Sequence, residues 1–251
     1  MLRRLLLYAS SCLALTGWIV CSLAVAGASP DVKPLVDLFE SRYRAARTLQ
    51  ATFLERYTEN GHVVRVESGT AYFRRPGKMR WEYQAPEKNI FLVDGKNAWF
   101  YVPADHTATR VPAKSSADWR TPLALLAGEM KVSRVCAQVL SAPDETVAAP
   151  ANVMLRCELR NAGAPSEAPH NSESGPSARA SAQSVYLEIV RKTGELVGVT
   201  VRDPGGVGIE FRFANWQADP RVNDSLFHFL APAGVAIVNG ELPAGNAGVN
   251  P

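Results

Sequence analysis

The chain is 251 residues long, 47% of them hydrophobic, with 27 Lys and Arg against 24 Asp and Glu for a formal charge of +3. Nothing in so even a balance argues for nucleic acid, whose protein partners usually carry a clustered basic surface, and no nucleic-acid partner is expected. The length suits one domain with a substantial core.

Arg3 and Arg4 precede a mostly apolar run from Leu5 to Val25, and Ala26-Gly27-Ala28 supplies the small-x-small pattern of a signal-peptidase site. Residues 1–28 are therefore expected to be a signal peptide, and 29–251 a single domain exported to the periplasm. An uncleaved anchor is the alternative, since the apolar run approaches the length that spans a bilayer. Of the four cysteines, Cys12 and Cys21 lie in this leader. The remaining Cys136 and Cys157, an even pair in an oxidising compartment, fit one disulfide, with two buried reduced thiols as the alternative. No C-x-x-C motif supports thiol exchange.

Asp31 to Leu49 carries Leu35, Leu38, Phe39, Tyr43, Ala46 and Leu49 near helical spacing, with Pro34 suited to a first turn. The period then changes to two. Ala51–Thr58, with Phe53 and Tyr57 on one face, His62–Arg74 after the Glu59-Asn60-Gly61 turn, and Met79–Tyr83 read as strands. Ile90–Val93 and Ala98–Val102 flank Asp94-Gly95-Lys96 as a hairpin. His106–Trp119 is polar and irregular. Thr121, as N-cap, and Pro122 open a short helix, LALLAGEM. Strand patterns return at Val132–Leu140 and Val153–Leu159. Residues 161–183, rich in Ala, Ser, Pro and Gly, read as a flexible loop. Val185–Val190, Leu196–Val201 and Val207–Phe213 then form a meander, and Gly234–Val238 a last strand before a disordered tail at 241–251. Ten or eleven consecutive strands without crossover helices make an antiparallel sheet, which must curl to bury its apolar face. The fold expected is mainly β: an incomplete, half-open antiparallel barrel with helices in its mouth.

Catalytic signatures are missing. His62, His106, His170 and His228 form no H-x-H or H-E-x-x-H pair, and neither a G-x-S-x-G elbow nor a P-loop occurs. Glu40, Glu55 and Glu59 read as carboxylates on ordinary polar faces. No enzyme activity, metal or cofactor is expected. Aromatic surface is plentiful instead: Met79, Trp81 and Tyr83 share one strand face, and Phe53, Tyr57, Tyr72, Phe91, Trp99, Phe100 and Tyr101 come from neighbouring strands. An ordinary core is the bland explanation. Against it, few helices are available to cover the sheet, and Leu123, Leu125 and Leu126 leave the short helix apolar nearly all round.

The run G-x-x-x-F-R-R-P-G-K-M-R-W-E-Y-x-x-P from Gly69 to Pro86 is followed by IFLVDGKNAWFY from Ile90 to Tyr101. TPLALLAG from Thr121 to Gly128 and DSLFHFLAPAGV from Asp224 to Val235 complete the set. In this order the motifs resemble the LolA family of periplasmic outer-membrane lipoprotein carriers, over most of the chain except 141–183. The resemblance implies a monomeric carrier that takes acylated lipoproteins from an inner-membrane ABC-type lipoprotein-release complex and passes them to an outer-membrane lipoprotein receptor. It implies an acyl-chain cavity lined by Phe53, Tyr72, Met79, Trp81, Tyr83, Phe91 and Leu126. A lid helix holding Pro122, Leu123, Leu125 and Leu126 would be latched by Arg75, while Arg74 remains a surface charge. A periplasmic lipid-sensing regulator and a carrier of another amphiphile, such as a glycolipid, share the fold and stand as alternatives.

Overall fold

A computed structural model describes residues 31–113, 123–128, 130–160 and 184–240. The expected signal peptide, Thr121 and Pro122, the 161–183 loop and the 241–251 tail lie outside the described residues. Helix α1 (Lys33–Arg44) is followed by strands β1 (Thr48–Glu59), β2 (His62–Arg74), β3 (Lys78–Ala85), β4 (Ile90–Val93), β5 (Asn97–Val102) and β6 (Thr107–Pro112). Two one-turn helices, α2 (Ala124–Ala127) and α3 (Val132–Val135), lead into β7 (Cys136–Ser141) and β8 (Asn152–Leu159). Then come β9 (Ser184–Val190), β10 (Leu196–Arg202) and β11 (Val207–Ala218), a 3-10 turn at Asp224–Phe227, and β12 (Ala236–Asn239).

The strands form one sheet in the order β12-β6-β5-β4-β3-β2-β1-β11-β10-β9-β8-β7. Its two outer strands do not pair with each other, so the barrel stays open. Curvature is evident from ring contacts. The Trp81 and Phe211 ring centroids are 5.1 Å apart, although two strands separate β3 from β11. In a flat sheet that separation would be about 14 Å. The concave face therefore holds a single apolar cluster from Trp81 and Phe73 across to Leu155, Leu187 and Ile189, with Phe39 and Tyr43 of α1 laid into it.

Several expectations need correction. The sheet has twelve strands among the described residues, because β6 falls in the stretch read as irregular. Its burial rests only on Ala108 and Val111, too little side chain to signal a strand. The last strand, β12, pairs with β6 in parallel, so the sheet is not wholly antiparallel. The strand expected over Val132–Leu140 begins as helix α3, whose Val132 amide donates to a Glu40 carboxylate oxygen at 2.7 Å.

Helix α1 stops at Arg44, not at Leu49, and the chain turns into β1. Asp219 explains the turn: its carboxylate accepts from the Arg47 and Thr48 amides at 2.8 and 2.9 Å. Leu49 satisfies the helical period and the strand period alike, and tertiary contacts decide between them. Gly69 is required by close approach, since a Cβ there would lie 1.9 Å from the Glu82 carbonyl oxygen across the β2–β3 pair.

Candidate functional site

Three strands build the centre of the concave face. Trp81 pairs with Ala71 on one side and Phe91 on the other, while Phe73 lies opposite Met79. Phe53 closes edge-on against Trp81 at 4.8 Å and Tyr83 at 5.2 Å. Phe53, Met79, Trp81, Tyr83 and Phe91, all expected here, are all buried in this cluster. Leu123, Leu125 and Leu126 are buried in it too, so α2 inserts its apolar side over β2 and β3.

Tyr72 is not in this group. It pairs with Arg80 and is only half-buried, on the opposite face of β2 from Ala71 and Phe73. The alternation of the strand requires this, and it is Phe73 that lies in the concave cluster beside Ala71. Trp99 and Tyr101 also leave the concave side. Trp99 stacks on Phe229 at 4.8 Å, and Tyr101 meets the same ring at 5.6 Å. Together with buried Leu92 and Phe227 they form a second layer beneath the C-terminal segment.

Glu55 is likewise misplaced as an ordinary surface carboxylate. It is 2% exposed and accepts from the Tyr83 hydroxyl at 2.9 Å. Phe53, Glu55 and Tyr57 sit at spacing two, so the signal was present in the strand pattern.

The double arginine divides its work between the two faces. Arg75 donates from Nε to the Gly128 carbonyl at 2.6 Å, immediately after α2. Its Nη2 donates to Tyr43 O at 3.0 Å, and Nη1 to Arg44 O at 3.1 Å and to Ala46 O. The last carbonyls of α1 lack intrahelical donors, and a guanidinium fork supplies several at once. Burial lowers the Arg75 pKa, opposed by the Asp219 carboxylate. The Gly77 amide adds a bond to Ala127 O at 2.8 Å, and Gly77 takes φ +66° in the turn after Pro76.

Arg74, expected as a surface charge, is instead enclosed, with its side chain 13% exposed. It donates to Thr48 Oγ1 and Val222 O, pairs with Asp224, and lies 4.6 Å from the Phe227 ring centroid. Arg80 donates to Leu226 O at 3.1 Å and to Glu82 at 2.7 Å. Both arginines thus clasp the C-terminal segment on the convex side. Sequence reading missed this because nothing local to Arg74 reveals a partner 150 residues away.

Cys136 and Cys157 are joined in a disulfide. The bond ties the end of α3 and the outer strand β7 to β8, which resolves the two readings of this pair in favour of the bridge.

Comparison with known proteins adds the decisive observation. A family described as "Outer membrane lipoprotein carrier protein LolA" matches residues 44–148. A Nitrosomonas europaea protein named outer-membrane lipoprotein carrier protein is 30% identical over 225 residues, covering 87% of this chain and 94% of its own. The chain belongs to the LolA family. A Methylococcus capsulatus protein of the same name is 30% identical over 196 residues, covering 77% of this chain and 82% of its own. Among solved structures, an uncharacterized conserved protein from Thermus thermophilus aligns at a TM-score of 0.49 and 13% identity, over 83% of this chain and 99% of its own. A LolA superfamily protein from Nitrosomonas europaea aligns at 0.40 and 8%, over 80% and 98%. The LolA match contains Arg75, the β2–β3 hairpin, α2 and Cys136, and it ends before Cys157 and the 161–183 segment.

Proposed function

We infer that the chain carries lipoproteins by holding their acyl chains against the concave face. One observation carries the reading: a single guanidinium, that of Arg75, ties the C-terminal end of α1 and the residue after α2 over an aromatic sheet face. Phe53, Phe73, Met79, Trp81, Tyr83, Phe91 and Leu126 supply the apolar contact. Burying acyl chains is worth about 0.8 kcal/mol per methylene, enough to hold a multiply acylated cargo too tightly for hand-over. Breaking the Arg75 bonds on loading offsets part of that gain and brings the empty and loaded states closer in energy.

In this role the chain works in the periplasm after removal of residues 1–28. It takes acylated lipoproteins from an inner-membrane ABC-type release complex and delivers them to an outer-membrane receptor, as a monomer and without catalysis. Purification from periplasm followed by mass spectrometry of bound molecules tests the assignment. Stoichiometric acylated lipoproteins are expected. Free glycolipids, or a stoichiometric exported regulator domain, would replace it with one of the alternatives.

A further inference from the structure

Residues 45–47 are the whole connection between α1 and β1, so α1 can leave the concave face only by turning about them. Arg75 holds the α1 side of this hinge through the carbonyls of Tyr43, Arg44 and Ala46. The β1 side is held from elsewhere. Asp219 accepts from the Arg47 and Thr48 amides, and its own amide donates to Thr48 O at 2.8 Å. Arg74 donates from Nε to the hydroxyl of the same Thr48 at 3.0 Å, and Thr48 is only 4% exposed. The Arg75 backbone amide completes the set by donating to Arg47 O at 3.0 Å.

The groups that grip the hinge also begin and fasten the C-terminal segment. Asp219 opens that segment in the left-handed region, at φ +48°, a conformation that short polar side chains tolerate. Three residues on, Val222 O accepts from Arg74 Nη2 at 3.2 Å, and Asp224 pairs with Nη1. Arg80 holds Leu226 O beyond. Under this clasp Phe227 and Leu92 are both 0% exposed. One guanidinium, that of Arg74, therefore spans hinge and segment, and Asp219 joins them a second time.

We propose that the helical lid and the C-terminal segment form one two-sided lock, so that opening the lid on the concave face loosens residues 222–228 on the convex face. The proposal rests on the latch reading of Arg75 given above. Turning residues 45–47 withdraws the amides from Asp219 and moves the Thr48 hydroxyl away from Arg74, so both anchors of the segment weaken in the same motion. Shared bonds, rather than proximity, supply the coupling. Cargo loading thereby becomes visible on the outer face, where Phe227 and Leu92 lose cover. Such coupling is reciprocal: whatever frees the segment favours the open lid by the same factor.

Hydrogen exchange on the purified full chain provides the test. Lid closure is read at the Ala46 and Gly77 amides, which donate to Tyr43 O and Ala127 O. Docking of the segment is read at the Leu226 and His228 amides, which donate to Asn223 O and Ser225 O. Arg75→Leu should speed exchange at Leu226 and His228 about fivefold. Asp224→Asn alters a side chain that is 68% exposed and pairs with Arg74, not with either helix. It should nevertheless speed exchange at Ala46 and Gly77 about threefold. Amides of β8 and β9 should keep parent rates in both variants. Acceleration that includes β8 and β9 equally would be general destabilisation and would overturn the lock, as would a variant that moves only its own side. Tripalmitoylated cysteine amide separates the lock from the carrier reading. Added to the parent chain, it should speed exchange in both sets. If it opens the lid set alone, the lock falls and the carrier reading stands. If it alters neither set while the two variants each move both, the lock stands and the carrier reading falls.

Discussion

Arg74 and Arg75 are sequence neighbours whose guanidinium groups serve opposite faces of one sheet. Arg74 fastens the C-terminal segment through Thr48, Val222, Asp224 and the Phe227 ring. Arg75 fastens the helices through carbonyls of Tyr43, Arg44, Ala46 and Gly128. Replacing Arg75 by leucine removes all the side-chain donors in that set and favours the open, loaded state. Transfer of bound lipoprotein to acceptor membranes should slow by at least about tenfold, the consequence of losing one or two net hydrogen bonds to a charged group. Transfer at the parent rate would sink the latch. The R-R-P-G motif made Arg75 legible because its family context assigns a partner. Arg74 was illegible because its partner is distant in sequence.

At the level of elements, the hairpins and the aromatic strand were readable because alternation and turn residues are local signals. The boundaries that failed are those decided by a distant side chain: Asp219 ending α1 before Leu49, and Glu40 holding Val132 in a helical turn. The Cys136–Cys157 bridge belongs to this scale. Its sequence separation of 21 predicts about 3 kcal/mol of stabilisation from the constrained unfolded chain. Cys136→Ser with Cys157→Ser should unfold at correspondingly lower denaturant, and reductant should bring the parent down to the variant's midpoint. A parent indifferent to reductant would contradict this.

The segment between β7 and β8 lies against the convex face through two carboxylates. Glu145 takes both Arg202 nitrogens at 2.6 and 2.7 Å. Glu188 accepts from the Ala148 amide and the Asn152 side chain and pairs with Arg212. Arg202 holds the Glu145 carboxyl below its usual value. Burial pushes the Glu188 carboxyl up, but donation by Asn152, Arg212 and Ala148 outweighs it and leaves the pKa lowered.

For the whole molecule these two lowered carboxyls fix a pH dependence. A folded pKa below the unfolded 4.5 favours folding when the group is ionised. Their contribution is complete above about pH 5 and is lost as pH falls through 4.5 toward the lowered folded values. Urea midpoints should therefore decline in acid, and Glu188→Gln should flatten that decline while lowering stability at neutral pH. An unchanged acid slope in the variant would count against Glu188. By itself, the sequence determined the class of fold, the turns, the aromatic strand and the family, because each is written in local periodicity or in ordered motifs. Only tertiary structure decided that Trp99 and Tyr101 pack beneath the C-terminal segment, that Arg74 clasps the same segment, and that β12 returns parallel to β6. Those outcomes depend on which side of a curled sheet a distant segment covers, and no local pattern encodes that.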